Sequence, residues 1–188
     1  MIARANHRIT YPSRIQLIAA MNPCRCGRAG EPGYVCRQGR ACSERYQARI
    51  SGPLLDRIDL QIEVPAVSAA DLVLPQASEG STEVRERVTL ARRIQIERYA
   101  ALRLPRVRTN ADCDGALLEE IAAPDRAGLT LLREAADALS LSARGYHRTL
   151  RVARTLADLD GEENVARIHI AEALSYRGET LRRAQEAA

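Results

Sequence analysis

Apolar and polar positions change their period partway along this chain. Residues 2–5 and 8–11 flank Asn6-His7 and predict a short hairpin, which Pro12-Ser13 ends. Residues 14–21 (RIQLIAAM) form a near-continuous apolar run, the pattern of a strand buried on both faces of a parallel sheet. Residues 22–39 are rich in Gly, Pro, Cys and Arg, with no helical or strand period. A short helix is expected from Ser43, with Ser43 as its N-cap, ending before Ser51-Gly52-Pro53. Residues 58–64 (IDLQIEV) then alternate with period two and predict a second strand, closed by Pro65.

From residue 81 onward the apolar positions recur at helical spacing. The expected helices cover 81–103, 116–122, 125–138, 143–160, 163–176 and 179–187, with Ser142 capping the fourth. The domain reading is therefore an α/β piece over 1–65, a linker over 66–80, and an all-helical domain over 81–188.

Composition narrows this picture. The chain has 188 residues, is 46% hydrophobic and only 3% aromatic, so Leu, Ile, Val and Ala must fill its core. No apolar run approaches the roughly 18 residues of a membrane span, and the N-terminus has no secretory pattern; a soluble, cytoplasmic protein with no membrane partner is expected. The net charge of +4 is too small to single out a partner. All 28 basic residues are Arg, so the chain carries no phosphate-binding loop of the G-x-x-x-x-G-K-[ST] type.

Four of the five cysteines, Cys24, Cys26, Cys36 and Cys42, fall in one short irregular stretch. That clustering suits a structural zinc ion, which takes four thiolates tetrahedrally and can organise a loop that has no core. Arg25, Arg28, Arg37 and Arg40 surround the thiols and favour thiolate. The alternative is four unrelated reduced thiols. Cys113 stands alone and reads as structural or incidental.

Three other positions stand out. Asn22 follows the apolar run, where α/β folds place ligands, although it is also an ordinary turn residue before Pro23. Arg57 lies between Asp56 and Asp59 at the start of the second expected strand, where a local ion pair is the plain reading. Arg144, Arg148 and Arg151 share one helix face near the Ser142 cap and could meet phosphate or simply be solvated.

Taken in order, LIAAMNPCRCG over 17–27, SGPLLDRIDL over 51–60, LSAR over 141–144 and LADL over 156–159 resemble the magnesium-chelatase-like AAA+ proteins of the ComM/YifB family. The resemblance implies the second half of a AAA+ P-loop ATPase core, interrupted by a Cys-rich zinc loop over 22–42 and followed by a helical lid. It implies that the parts binding ATP phosphates and Mg2+ precede residue 1. It assigns Asn22 to sensor 1, Arg57 to the arginine finger and Arg144 to sensor 2, with Asn22 and Arg144 facing the nucleotide. The hairpin before sensor 1 makes Arg4, His7 and Arg8 candidates for contact with DNA. The implied parent is a hexameric, ATP-driven branch-migration motor acting on DNA in natural transformation. Two other readings remain at this point: a zinc-containing module that binds DNA or protein without ATP, and a magnesium chelatase subunit. Asp59 and the Cys insert argue against the last.

Overall fold

The computed structural model describes residues 2–4, 7–11, 15–28, 34–36, 39–65, 67, 71–73 and 79–177. The chain divides into two compact units, Met1–Arg49 and Ile50–Ala188.

The first unit opens with the expected hairpin. Strands β1 (Ile2–Arg4) and β2 (His7–Ile9) pair antiparallel, with Ile2 opposite Ile9, Ala3 opposite Arg8 and Arg4 opposite His7. His7, expected in the turn, is instead paired in the strand. The run expected to be a buried strand is not one: residues 15–21 have no strand partner, and Ile18 is 86% exposed. A central strand is hydrogen-bonded to strands on both sides and covered on both faces of the sheet, and none of the described residues pairs with this run. Helix α1 (Arg40–Gln47) begins three residues earlier than expected, after Gly39, and places Ser43 inside the helix instead of at its cap.

The second unit is helical. A single turn, α2 (Gly52–Leu55), is capped by Ser51. Residues 58–64 do not form the second expected strand; Gln61 makes one isolated bridge, and Ile62 and Val64 are exposed. Helices α3 (Ser81–Ala101), α4 (Gly115–Ile121), α5 (Arg126–Ala138), α6 (Ala143–Asp160) and α7 (Arg167–Ser175) follow, the first four close to the expected bounds and α7 beginning four residues later than expected. The expected helix over 179–187 lies outside the described residues. Among the described residues no helix is long and apolar enough to cross a membrane.

Helix α6 forms the centre. Its buried face runs through Gly145, Thr149, Leu150, Ala153, Arg154, Ala157 and Asp158, a helical stripe, and α3, α4 and α7 pack against the helix. Ala153 and Ala157 are small enough for close approach, while Leu118, Leu132 and Ile170 fill the space between helices. Cys113 is fully buried in the same core, as its structural reading requires.

Polar groups are buried in this core as a connected set. Asp158, 1% exposed, accepts hydrogen bonds from Gln95 (3.1 Å), Asn110 (2.8 Å), Arg154 Nε (3.1 Å) and both terminal nitrogens of Arg98. Arg154, equally buried, donates its other two nitrogens to the Glu162 and Glu163 carbonyls at 2.6 Å each. The Tyr99 hydroxyl donates to Asn110 at 2.6 Å, and the Cys113 thiol donates to that hydroxyl. Burial alone would raise the Asp158 carboxyl, but hydrogen bonds from Arg98 and Asn110 and the charge of Arg154 outweigh it and hold the group below its ordinary value.

Removing this acid would strand two arginines. Asp158→Ala is expected to cost about 3–5 kcal/mol, the range for breaking a buried charge pair, as measured by urea unfolding at neutral pH. The pH dependence has a definite sign: a depressed carboxylate stabilises the fold fully above its unfolded value of about 4 and loses that contribution as pH falls through the lower folded value. In Asp158→Asn this acid-limb loss of stability should be smaller than in the parent chain.

Candidate functional site

In the first unit the structure draws the cysteines together. The Sγ atoms of Cys24, Cys26 and Cys42 lie within 4.8 Å of one another, and Cys36 Sγ is 3.7 Å from Cys26 Sγ. A tetrahedral zinc with Zn–S near 2.3 Å sets its sulfurs roughly 3.8 Å apart; the Cys26–Cys36 separation matches this, while Cys24 Sγ and Cys26 Sγ, 2.8 Å apart, stand closer than two ligands of one ion would. Two tight turns aim the thiols. Gly27 N–H donates to the Cys24 carbonyl at 3.0 Å, and Gly39 N–H to the Cys36 carbonyl at 2.8 Å. Both glycines have positive φ, 80° and 60°, a region where a side chain would be strained. Cys42 comes from the first turn of α1, and that helix is fastened to the first turn: Ser43 Oγ and Gln47 Nε2 both donate to the Pro23 carbonyl. Hydrogen bonding to Cys24 and to the Arg28 backbone lowers the Cys26 thiol below its ordinary value, which favours the ligating thiolate.

Little else holds this unit. Among its described residues, only Cys24 and Cys42 are buried. Asn22 is exposed beside the first turn, its amide 3.8 Å from where a Cβ on Gly27 would stand. Arg8 is exposed at the hairpin. Arg4 and His7 face each other in the strand register; their side chains lie outside the described residues.

In the second unit the segment around Arg57 is fixed to the helices by the acids on either side of it. Asp56 accepts from Arg177 Nη2 at 3.0 Å and from Ser142 Oγ at 3.1 Å, and Asp59 pairs with Arg148. Gln61 N–H donates to the Tyr176 carbonyl at 2.8 Å. Gly145 lies over the first pair: a Cβ there would come within 3.6 Å of Ser142 Oγ, Arg177 Nη2 and Asp56 Oδ1. The plain reading of Arg57, a pair with Asp56 or Asp59, therefore does not describe it. Its guanidinium is exposed and donates to the Pro53 carbonyl at 2.6 Å.

The same contacts divide the row of arginines on α6. Arg148 is held by Asp59, and Arg151 donates to the Cys113 carbonyl and to Asp114, both at 2.7 Å. Arg144, in the first turn, is exposed and makes no hydrogen bond or ion pair among the described residues. Ser142 is both the helix cap, accepting from Gly145 N–H at 3.0 Å, and a donor to Asp56. Helical spacing located the row, but nothing in the sequence signalled Arg177, Ser142 and Arg148 as partners of the 56–59 segment, because those pairs span 86 to 121 residues.

The amino-acid sequence matches known proteins along its length. Residues 78–177 match the family described as magnesium chelatase, subunit ChlI C-terminal, and residues 1–72 match magnesium chelatase, subunit ChlI. An uncharacterized protein of Mycobacterium tuberculosis strain H37Rv is 41% identical over 185 residues, which cover 97% of this chain and 35% of that protein. Competence protein ComM of Haemophilus influenzae is 40% identical over 185 residues, covering 94% of this chain and 33% of its own length. Uncharacterized protein YifB of Escherichia coli K12 is 37% identical over 177 residues, with the same coverage. The chain thus spans about a third of the length of these relatives. On these matches, the chain belongs to the magnesium-chelatase-like family that includes ComM and YifB.

Proposed function

We propose that this chain supplies the intersubunit and lid elements of a ring-forming ATPase that acts on DNA. The observation that carries the reading is Arg57. It is exposed, while the two acids beside it are engaged by Ser142, Arg177 and Arg148. A guanidinium anchored in this way is available to phosphate on a neighbouring subunit, where arginine fingers stabilise charge on the transferring phosphoryl group. Arg144, exposed at the start of α6 and without an ion pair among the described residues, is the sensor 2 candidate, and Asn22 the sensor 1 candidate. ATP and Mg2+ would be held by a phosphate-binding loop that this sequence does not contain, so the chain alone should not turn ATP over. The hexameric ring and the DNA substrate rest on family resemblance; one relative carries the name competence protein.

Structural zinc is the second element. The thiols of Cys24, Cys26, Cys36 and Cys42 are gathered in one place, and the first unit buries little else among its described residues. The ion would hold two turns and a helix together, with no role in the chemistry. This cluster also supports the other reading, a zinc-containing module that binds DNA or protein without ATP.

The finger is tested in rings whose subunits also carry a phosphate-binding loop. Arg57→Ala should lower ATP turnover by ~10³- to 10⁵-fold while the ring stays assembled. Mixing Arg57→Ala subunits with subunits whose phosphate loop is disabled should recover partial activity, because some interfaces then pair an intact finger with an intact loop. Normal turnover by assembled Arg57→Ala rings would remove the assignment.

Metal analysis of the chain purified without added metal should return about one zinc per chain. Replacing Cys24 and Cys26 with Ser should abolish it; unchanged stoichiometry would show that these thiols are not the ligands. Chelation should loosen the first unit and leave the helical unit folded, read as increased amide exchange confined to residues 1–49.

A further inference from the structure

The helical unit carries a basic loop that its own fold does not use. From Arg98 to Ala111 the sequence has four arginines and no acid. Arg98 is committed to Asp158. The other three, Arg103, Arg106 and Arg108, are exposed, and their guanidinium groups make no hydrogen bond or ion pair among the described residues. Several other exposed arginines of this unit have acids close by: Arg87 pairs with Glu79, Arg85 stands between Glu83 and Glu86 in sequence, and Arg133 precedes Glu134.

The loop is built firmly enough to present these charges. Helix α3 ends in a Schellman motif, with Arg103 N–H donating to the Ala100 carbonyl at 3.0 Å and Leu104 N–H to the Tyr99 carbonyl at 2.9 Å. Arg103 has φ 56°, a conformation that glycine normally supplies at this position. A turn follows, closed by Val107 N–H on the Leu104 carbonyl at 3.0 Å, with Pro105 and Arg106 at its tip. Leu104 and Val107 pack on the core and anchor the turn. Beyond it, Asp112, the acid nearest in sequence, accepts from the Arg108 and Thr109 amides and fixes the exit of the loop.

We propose that Arg103, Arg106 and Arg108 form a contact for the phosphodiester backbone of a nucleic acid. This deepens the DNA reading above and depends on it. The anchoring residues turn inward, so the loop offers mainly guanidinium forks. These match phosphate oxygens in bidentate geometry, and the 103–108 loop carries no aromatic ring to stack on a base. The contact is therefore sequence-independent and governed by counterion release.

Fluorescence anisotropy of the 188-residue chain with labelled single-stranded and duplex DNA of mixed sequence, across a salt series, tests this. Arg103→Gln/Arg106→Gln/Arg108→Gln should weaken binding at least about tenfold at low salt. It should also reduce the slope of log K against log[salt] by about 2 for single strands and nearly 3 for duplex, in line with the loss of three phosphate contacts. A control with the same charge removed elsewhere, Arg126→Gln/Arg133→Gln/Arg167→Gln, should bind close to the parent. Arg106→Gln alone, at the turn tip, should give a partial loss with an unchanged unfolding midpoint. Unchanged affinity and slope in the loop variant, with binding by the parent, would overturn the loop and leave the DNA reading standing. An equal loss in the control would reduce the effect to net charge. Displacement by polyglutamate as effective as by DNA would overturn the choice of nucleic acid as partner. Failure of the parent chain to bind either DNA at low salt would overturn both this inference and the DNA reading for this chain.

Discussion

The Asp158 carboxylate, closed off from water, gathers donors from α3, from the turn at residue 110 and from its own helix. Each donor has an alternative partner in water, and the buried carboxylate is tolerable only because all of them arrive together. Arg154 extends the set to the chain leaving α6 through the Glu162 and Glu163 carbonyls. The apolar stripe of α6 would accept neighbouring helices in more than one register. The directional demand of this acid admits one, so the placement of α3, α6 and the loop after α6 follows from it.

The two units solve the problem of order differently. The helical unit has a core of Leu, Ala, Val and Ile around α6, with Tyr99 buried in it and Tyr146 packed half-buried against it, as a chain poor in aromatics requires. The first unit shows, among its described residues, two buried side chains, and both are cysteines. In the zinc reading proposed above, coordination by these thiols takes the place of hydrophobic burial. It needs only two glycine-closed turns and one helix to aim the ligands.

Arginine does three separate kinds of work in this sequence. Arg98 and Arg154 neutralise a buried acid. Arg148 and Arg177 hold the 56–59 segment against the helices, and Arg151 braces the Cys113–Asp114 backbone. Arg57, Arg144 and the 103–108 loop keep exposed guanidinium groups, none of them in an ion pair among the described residues. The bidentate, permanently charged fork suits all three tasks. Only the location of the acids separates them.

What the sequence determined by itself was set by local rules. The helices from 81 to 177 follow from apolar spacing and from caps such as Asp125 and Ser142, which act within one turn. The cysteine cluster is local too, as is the hairpin to within one residue. The motifs over 17–27, 51–60 and 141–159 carried the family. What the tertiary structure decided was everything that depends on distant partners. Residues 15–21 and 58–64 have strand patterns, but a strand forms only beside another, and their periodicity cannot say whether one is present. Arg57 between two acids reads as a local pair until Arg148 and Arg177, far along the chain, take those acids. Arg144, Arg148 and Arg151 are equivalent by spacing, and packing alone made the first exposed and the others structural.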